Sequence, residues 1–350
     1  MRAAVKLFTI LGIEIKVHVT FLLLIFFVML GGIKWVALVF GVFFFVTMHE
    51  ICHSVVAKHF GIKVREITLL PIGGIASMSR MPDKPYQEFW ISLAGPASNI
   101  LVVLILFFPM KFLLGPEVLL HPLSTETWPL TMAYVFWINL ILAGFNMIPA
   151  FPMDGGRVLR SLLAIWLGYV KATRIAALLG HIFAFAFAYF GIMRGNIILV
   201  AIAVFVYMAA SGEEAQVNIK EILKRYRVYD ILPRDFLTVT SETSLGKVLE
   251  MIFHSHQEDF PVVDGPDLVG FITRKDIMTA VHSSGVGAKV EAAMRKSFPK
   301  IKDTDTLIKA HKAMSDTGLR ALPVMKGDKV AGVITIEDVS KAYAMVALRG

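Results

Sequence analysis

Hydrophobic and polar positions divide the chain in two. From Val17 to Ser211, long uncharged apolar runs alternate with short polar connections, whereas Gln216 to Gly350 has the mixed polarity of a water-soluble domain. A helix needs about 20 apolar residues to cross the hydrocarbon core of a bilayer. Six segments reach or approach that length: roughly Val17 to Ile33, Trp35 to His59, Phe89 to Leu114, Leu130 to Pro149, Thr173 to Ile192 and Asn196 to Ser211. The first and last are short, which tilt or burial among the others accommodates. The pattern predicts a polytopic α-helical membrane protein of about six spans, followed by a soluble part.

The soluble part repeats itself. EDFPVVDGPDLVGFITRKDI, from Glu258, aligns with LRALPVMKGDKVAGVITIEDV, from Leu319; Pro261 pairs with Pro323, Gly270 with Gly332, Thr273 with Thr335 and Asp276 with Asp338, always 62 residues apart. Each unit reads as a short extended start, a helix (Leu245 to His254; Leu307 to Asp316), two β-branched strands around a Gly or Gly-Asp turn, and a closing helix. This resembles a tandem pair of cystathionine-β-synthase (CBS) domains over about Val228 to Met345, a C-terminal α/β pair. The resemblance implies an adenine nucleotide (ATP, ADP or AMP) or S-adenosylmethionine as a regulatory ligand. Thr273 and Thr335 would then lie at a phosphate or ribose, and Asp276 and Asp338 on ribose hydroxyls; homodimers through the CBS domains are a further implication. The same Thr and Asp positions also suit helix capping. The expected divisions are a membrane domain at 1–215, a linker at 216–227, and CBS domains at 228–285 and 290–345.

Composition agrees. The 350 residues are 56% hydrophobic and 18% charged, with a mean hydropathy of +0.67, too apolar for an ordinary soluble protein. The net charge of +8 reflects lysines and arginines beside the spans; with no compact basic stretch interleaved with aromatics, nucleic acid is not an expected partner. A single cysteine, Cys52, excludes an internal disulfide framework and fits a reducing compartment. The short loops and ends place twelve Lys and Arg on one side, including Arg2, Lys58, Arg80, Arg157 and Arg160, against Lys34, Lys111 and Arg194 on the other. That asymmetry puts the N-terminus and the CBS domains on the cytoplasmic side of the cell membrane. The apolar start lacks a small-x-small cleavage site and reads as a retained first span.

Against this greasy background, FFFVTMHEICHS from Phe43 carries His49, Glu50 and His53 as H-E-x-x-H on the second span. Positions four apart share a helix face, so both imidazoles can converge on one ion with Glu50 beside them as a general base. That is a zincin arrangement, in which neutral histidines hold Zn²⁺ and a carboxylate takes a proton from the water it activates. Within a span it carries more weight, because an ionisable side chain at mid-bilayer costs on the order of 3 kcal/mol and is a functional site by default. A further ligand is needed, and the rest of the membrane part supplies a lone acid once, Asp154, after Pro149 and Pro152 break the fourth span. Gly155 and Gly156 then allow close backbone approach. Two histidines and one carboxylate leave a fourth position for water, the catalytic pattern. Capping of the helix that starts at Gly155 is a second role for Asp154, compatible with the first.

HEICH from His49, followed about 100 residues later by NMIPAFPMDGGR from Asn146, resembles the site-2 protease family of intramembrane metalloproteases over nearly all of residues 1–215. The resemblance implies zinc, one per chain, on His49, His53 and Asp154, water activation by Glu50, and cleavage within membrane spans of single-span substrate proteins. Asn146 matches an asparagine near the metal that contacts substrate or the developing oxyanion, although it could equally satisfy backbone groups freed by Pro149. Met153 stands where leucine is common, a volume-conserving change.

A transmembrane substrate must unwind before water can reach a peptide bond. The loop Lys63 to Met81 has β-rich, glycine-containing character, and a strand edge there could pair with an extended substrate; an amphipathic connector is the plainer reading. LAGPASN, Leu93 to Asn99, suits close packing through small residues. Cys52 turns away from the His49 and His53 face, and His181 in the fifth span suits a packing hydrogen bond. The alternative function, an ion or metal transporter regulated by its CBS pair, would need polar residues along several spans, where acids other than Glu50 and Asp154 are nearly absent.

Overall fold

The computed structural model describes residues 4–71, 73–78, 82, 84–115, 127–233, 235–255 and 257–347. Arg2, Arg80 and the end of the Lys63 to Met81 loop, counted above, lie outside these residues. The chain divides into two compact units, Met1–Ala215 and Gln216–Gly350.

The first unit begins with a sheet that runs into the start of the expected first span, Val17 to Ile33, and leaves a shorter helix there. Strands β1 (Ala4–Ile10) and β2 (Ile13–His18) form a hairpin, and only then does helix α1 (Val19–Met29) start; at 11 residues it is too short to cross a bilayer alone. The reason is a period of two. Ile13, Ile15 and Val17 point inward and are buried, while Glu14 and Lys16 point out and pair with Lys6 and Glu66. Helix α2 (Ile33–His59) then carries the chain to β3 (Val64–Leu70) and β4 (Gly73–Met78). The sheet order is β1-β2-β3-β4, with β2 and β3 parallel across the helical connection and the outer pairs antiparallel. Ile13, Ile15, Val17, Val64, Ile67 and Leu69 make one core with Phe21, Ala57 and Ile91. The loop expected to be β-rich is therefore a hairpin, and β4 is an edge strand.

Helices α3 (Pro85–Pro109), α4 (Trp128–Asn146), α5 (Asp154–Leu167), α6 (Tyr169–Met193) and α7 (Ile197–Arg225) follow. Among the described residues, five helices are long and apolar enough to span: α2, α3, α4, α6 and α7. Residues Gln216–Arg225, expected to be a linker, continue α7 as helix. His181 meets Ser211 Oγ at 2.9 Å and its ring lies 4.7 Å from that of Tyr207, a packing contact between α6 and α7.

The short helix α5 is held by buried charge. Arg160, 2% exposed, donates through Nε and Nη2 to Glu88 on α3 and through Nη1 to Glu213 on α7. Its guanidinium lies between the rings of Phe151 and Tyr169, 4.7 and 4.8 Å from their centroids. Arg157 donates to the other oxygen of Glu213 at 2.7 Å. Asp154 is thus not the lone acid expected of this part of the chain, and Arg157 and Arg160, counted above as loop charges, are engaged internally. The guanidinium suits this position because it is planar, forked and able to stack on rings.

The second unit realises the repeat. In the first half, helix α8 (Leu245–His254) precedes the hairpin of β5 (Phe260–Asp264) and β6 (Asp267–Ile272) and helix α9 (Arg274–Ser284). In the second, β7 (Ile301–Lys302) and α10 (Leu307–Thr317) precede β8 (Ala321–Lys326), β9 (Lys329–Thr335) and α11 (Ile336–Ala347). Gly265 and Gly327 hold the hairpin turns at φ +61° and +63°, a conformation that favours glycine. Each half has its own apolar core, around Val248, Phe260 and Ile272 in one and Leu307, Leu322 and Ile334 in the other.

Removing the guanidinium from the buried cluster strands Glu88 without a counter-charge. Arg160→Ala should destabilise the protein by about 3–5 kcal/mol, read as a lowered thermal transition in detergent, and Arg160→Lys should recover only part of it because one ammonium cannot fork between two carboxylates. A transition unchanged in Arg160→Ala would show that the cluster does not secure α5.

Candidate metal centre

α2 presents His49 and His53 one turn apart, both buried, toward the start of α5. Their Nε2 atoms are 3.0 Å apart, and each lies 3.2 Å from Asp154 Oδ2. His49, His53 and Asp154 form the one group among the described residues whose ligand atoms converge in this way. Asp154 is the first residue of α5; Met153 occupies the cap position and no side chain caps the helix, so the Asp154 carboxylate faces the histidines instead of the backbone.

The hydrogen bonds behind the histidines decide which nitrogen is free. Val135 O can only accept, so Asn139 must turn its amide Nδ2 toward it, at 3.0 Å, leaving Asn139 Oδ1 to accept from Asn99 Nδ2 at 2.8 Å. Asn99 Oδ1 then accepts from His49 Nδ1 at 2.5 Å. His53 Nδ1 likewise donates to the carbonyl of Ile91 at 2.5 Å. Both imidazoles keep their proton on Nδ1 and aim a bare Nε2 lone pair at Asp154 Oδ2. Three acceptors facing one another at 3.0–3.2 Å have no proton to share, and they want a cation. Ligand atoms arranged tetrahedrally at zinc distances of 2.0–2.1 Å stand roughly 3.3 Å apart, close to what is found. Asn99 and Asn139 were not singled out from sequence; an amide in mid-span, Asn139 especially, was the available signal.

Room for the group comes from α3. A Cβ on Gly95 would lie 2.2 Å from His53 Nε2 and 2.6 Å from His49 Nε2, so any larger residue would occupy the space where the three lone pairs meet. Gly155 and Gly156 press on the backbone of Met147 to Phe151, where a Cβ would come within 2.4 Å, so the broken segment folds back over α5. On the other side, Glu50 Cγ would be 2.7 Å from a Cβ on Gly74, which sets edge strand β4 directly against the glutamate. Asn146 ends α4, half-buried and two turns beyond Asn139 on the same face, outside the hydrogen-bonded group around the histidines. Cys52 is half-buried and outside the cluster.

In the second unit, Thr273, Thr335 and Asp338 line one cleft of about 1850 Å³, whereas Asp276 does not line it and pairs with Arg295, which does. They cap helices as well. Thr273 and Asp276 form a reciprocal capping box at the start of α9, and Thr335 and Asp338 make the same bonds at α11. Capping uses one oxygen of each carboxylate; Arg295 engages the other oxygen of Asp276, and Asp338 keeps its own. Partial burial would raise the Asp276 carboxyl, but Arg295 and Thr273 outweigh it and hold the group below the usual carboxylate range.

Deleting the amide that fixes the His49 tautomer should loosen the ion without dismantling the ligands. Asn99→Leu is expected to weaken zinc affinity about 10–100-fold, measured by competition with a chromophoric chelator; an unchanged affinity would show that the amide chain does not orient the imidazole.

Comparison with known proteins is consistent with this geometry. Residues 37–126 and 121–190 match peptidase family M50, and residues 228–283 and 290–345 match the CBS domain. A zinc metalloprotease of Methanocaldococcus jannaschii is 33% identical over an alignment covering 100% of this chain and 98% of the relative. Stage IV sporulation protein FB of Bacillus subtilis is 25% identical over 58% of this chain and 69% of its own length. Among solved structures, the site-2 protease from Methanocaldococcus jannaschii shares 38% sequence identity, covering 60% of this chain and 95% of that one, with a TM-score of 0.47. The chain belongs to peptidase family M50, the site-2 protease family of zinc metalloproteases, and carries a tandem CBS pair at its C-terminal end.

Proposed function

We propose that this zinc metalloendopeptidase cleaves single-span membrane proteins within the bilayer, with His49, His53 and Asp154 as zinc ligands and Glu50 as general base. One observation carries the reading: the lone pairs of two buried histidines on a helix of membrane-spanning length converge with that of Asp154 at the start of α5, with a carboxylate and an open strand edge beside them. When bound, zinc would polarise the scissile carbonyl and make the attacking water more acidic. Glu50 takes the proton of that water and delivers it to the departing amide nitrogen. Asn99 and the Ile91 carbonyl keep both imidazoles in the ligating tautomer, and Asn146 contacts the substrate or the developing oxyanion.

Edge strand β4 supplies what an unwound substrate needs. The sheet order leaves its outer side unpaired among the described residues, and Gly74 sets it beside Glu50. A substrate segment added along this edge would satisfy its backbone by strand pairing, drawn out of the helix and past the base. Placement of the CBS domains in the cytoplasm rests on the loop charges, which still favour that side, ten to three, once Arg157 and Arg160 are set aside. Although α1 is too short to count as a span, the pairing of β2 with β3 keeps the N-terminal hairpin on that same side, where α2 ends. The CBS pair would bind an adenine nucleotide (ATP, ADP or AMP) or S-adenosylmethionine and alter the protease, and would also mediate a homodimer.

Cleavage of a reconstituted single-span substrate tests the chemistry. Glu50→Gln should lower turnover by at least about 10³-fold while keeping one zinc per chain by metal analysis. Asp154→Ala should lose both activity and most of the metal. Activity retained in Glu50→Gln, or full zinc in Asp154→Ala, would overturn the assignment.

The strand edge gives a second, separable outcome. Single prolines placed from Gly74 to Ser77 should fall into two alternating classes: those whose N–H faces outward lose cleavage with an unchanged thermal transition, and those facing β3 lose stability. Outward positions that cleave normally would remove strand pairing from the mechanism.

A further inference from the structure

The two repeats of the second unit pack with an internal symmetry. Gly270 of the first lies against Met294, where the second repeat opens, and Gly332 of the second lies against Leu232, where the first opens. Both correspondences are offsets of 62 residues, 270 to 332 and 232 to 294. Extended to the cleft, the symmetry defines two half-sites. At one, Thr273 and Arg295 line the cleft and Asp276 is bound to Arg295 instead of lining it; at the other, Thr335, Asp338 and Pro233 line it. Arg295 and Pro233 therefore occupy equivalent places.

That substitution makes the half-sites chemically unequal. Arg295 Nε and Nη2 donate to Asp276 Oδ2 and Oδ1 at 2.7 and 2.9 Å, a forked pair that engages both carboxylate oxygens, and Thr273 adds its hydroxyl to Oδ2 at 2.7 Å. At the second half-site, Thr335 donates through N and Oγ1 to Asp338 Oδ2 at 3.0 and 2.7 Å. Pro233 has neither an N–H nor a polar side chain to offer the remaining oxygen. Among the described residues, Asp338 Oδ1 accepts no hydrogen bond, and it lines the cleft with Lys341 one turn further along α11.

We infer that a ligand bearing a ribose diol binds first at the Thr335 and Asp338 half-site, and that Arg295 occupies the Thr273 and Asp276 half-site in the ligand's place. This rests on the adenine-nucleotide reading above. A diol needs a carboxylate with acceptors to spare; Asp338 has them, whereas Asp276 must first surrender two charge-assisted bonds. The Arg295 side chain is 41% exposed, so solvent weakens the pair. The consequence is a preference of about fivefold to tenfold, not a closed site.

Equilibrium dialysis of the full-length protein in detergent, with radiolabelled AMP and ATP, reads this directly. Wild type should show one tighter equivalent per chain and a second about fivefold to tenfold weaker. Asp338→Asn, which keeps a capping oxygen, should abolish the tighter class; Asp276→Asn should leave it intact. Arg295→Ala should strengthen the weaker class to within about twofold of the other, and 2′,3′-dideoxy analogues should lose the distinction. Two equal sites in wild type, loss of the tighter class in Asp276→Asn, or weaker binding at both sites in Arg295→Ala would each overturn the inference. Absence of any binding by wild type and Arg295→Ala alike would overturn the nucleotide reading beneath it.

Discussion

Three lone pairs that cannot satisfy one another organise the membrane unit. His49 Nε2, His53 Nε2 and Asp154 Oδ2 meet at 3.0–3.2 Å, and each histidine, itself buried, is backed through Nδ1 by an acceptor that leaves its Nε2 bare. Apolar surroundings make such a convergence costly unless a cation completes it. The surrounding features follow from that demand. Gly95 vacates the centre, the Asn99 and Asn139 amides pin one ring, and the Ile91 carbonyl pins the other.

The third ligand is harder to hold than the first two. His49 and His53 share one helix, so backbone geometry spaces them, whereas Asp154 arrives through a segment broken by prolines. Two devices fix it. Gly155 and Gly156 let that segment fold onto α5, and Arg160, stacked between two rings and paired with Glu88 and Glu213, ties α5 to α3 and α7. Helices in lipid gain little from burying apolar side chains against one another, so close packing and polar ties carry the specificity. A charged cluster here is a positional device more than a source of net stability.

The CBS unit shows how a duplicated sequence can keep its fold and divide its chemistry. Capping of α9 and α11 constrains Thr273, Asp276, Thr335 and Asp338 alike, since each box satisfies backbone donors that a helix start would otherwise leave open. Positions 233 and 295 escape that constraint because they lie outside the helices, and there the copies diverge into proline and arginine. The two acids thus share a capping geometry and differ in availability: Asp338 lines the cleft, and Asp276 is bound by Arg295.

Much of this was legible in the chain. Helix periodicity put His49 and His53 on one face, the proline-broken run singled out Asp154, and the 62-residue offset marked the two CBS halves with helices at Leu245 and Leu307 that the structure reproduces. These are local or repeated patterns, and neighbouring residues along the chain determine them. The first apolar run misled because Val17 was counted into the α1 segment, while the alternation from Ile13 to Val17 that buries β2 on one face was overlooked. The Asn99 and Asn139 chain, the Glu88 and Arg160 pair, the closeness of β4 to Glu50 and the Arg295 bond to Asp276 join residues that lie far apart in sequence or on separate elements. Single amides and charges carry no periodic signal. Their partners exist only once packing sets helix against helix and strand beside strand, so those contacts belong to the tertiary structure alone.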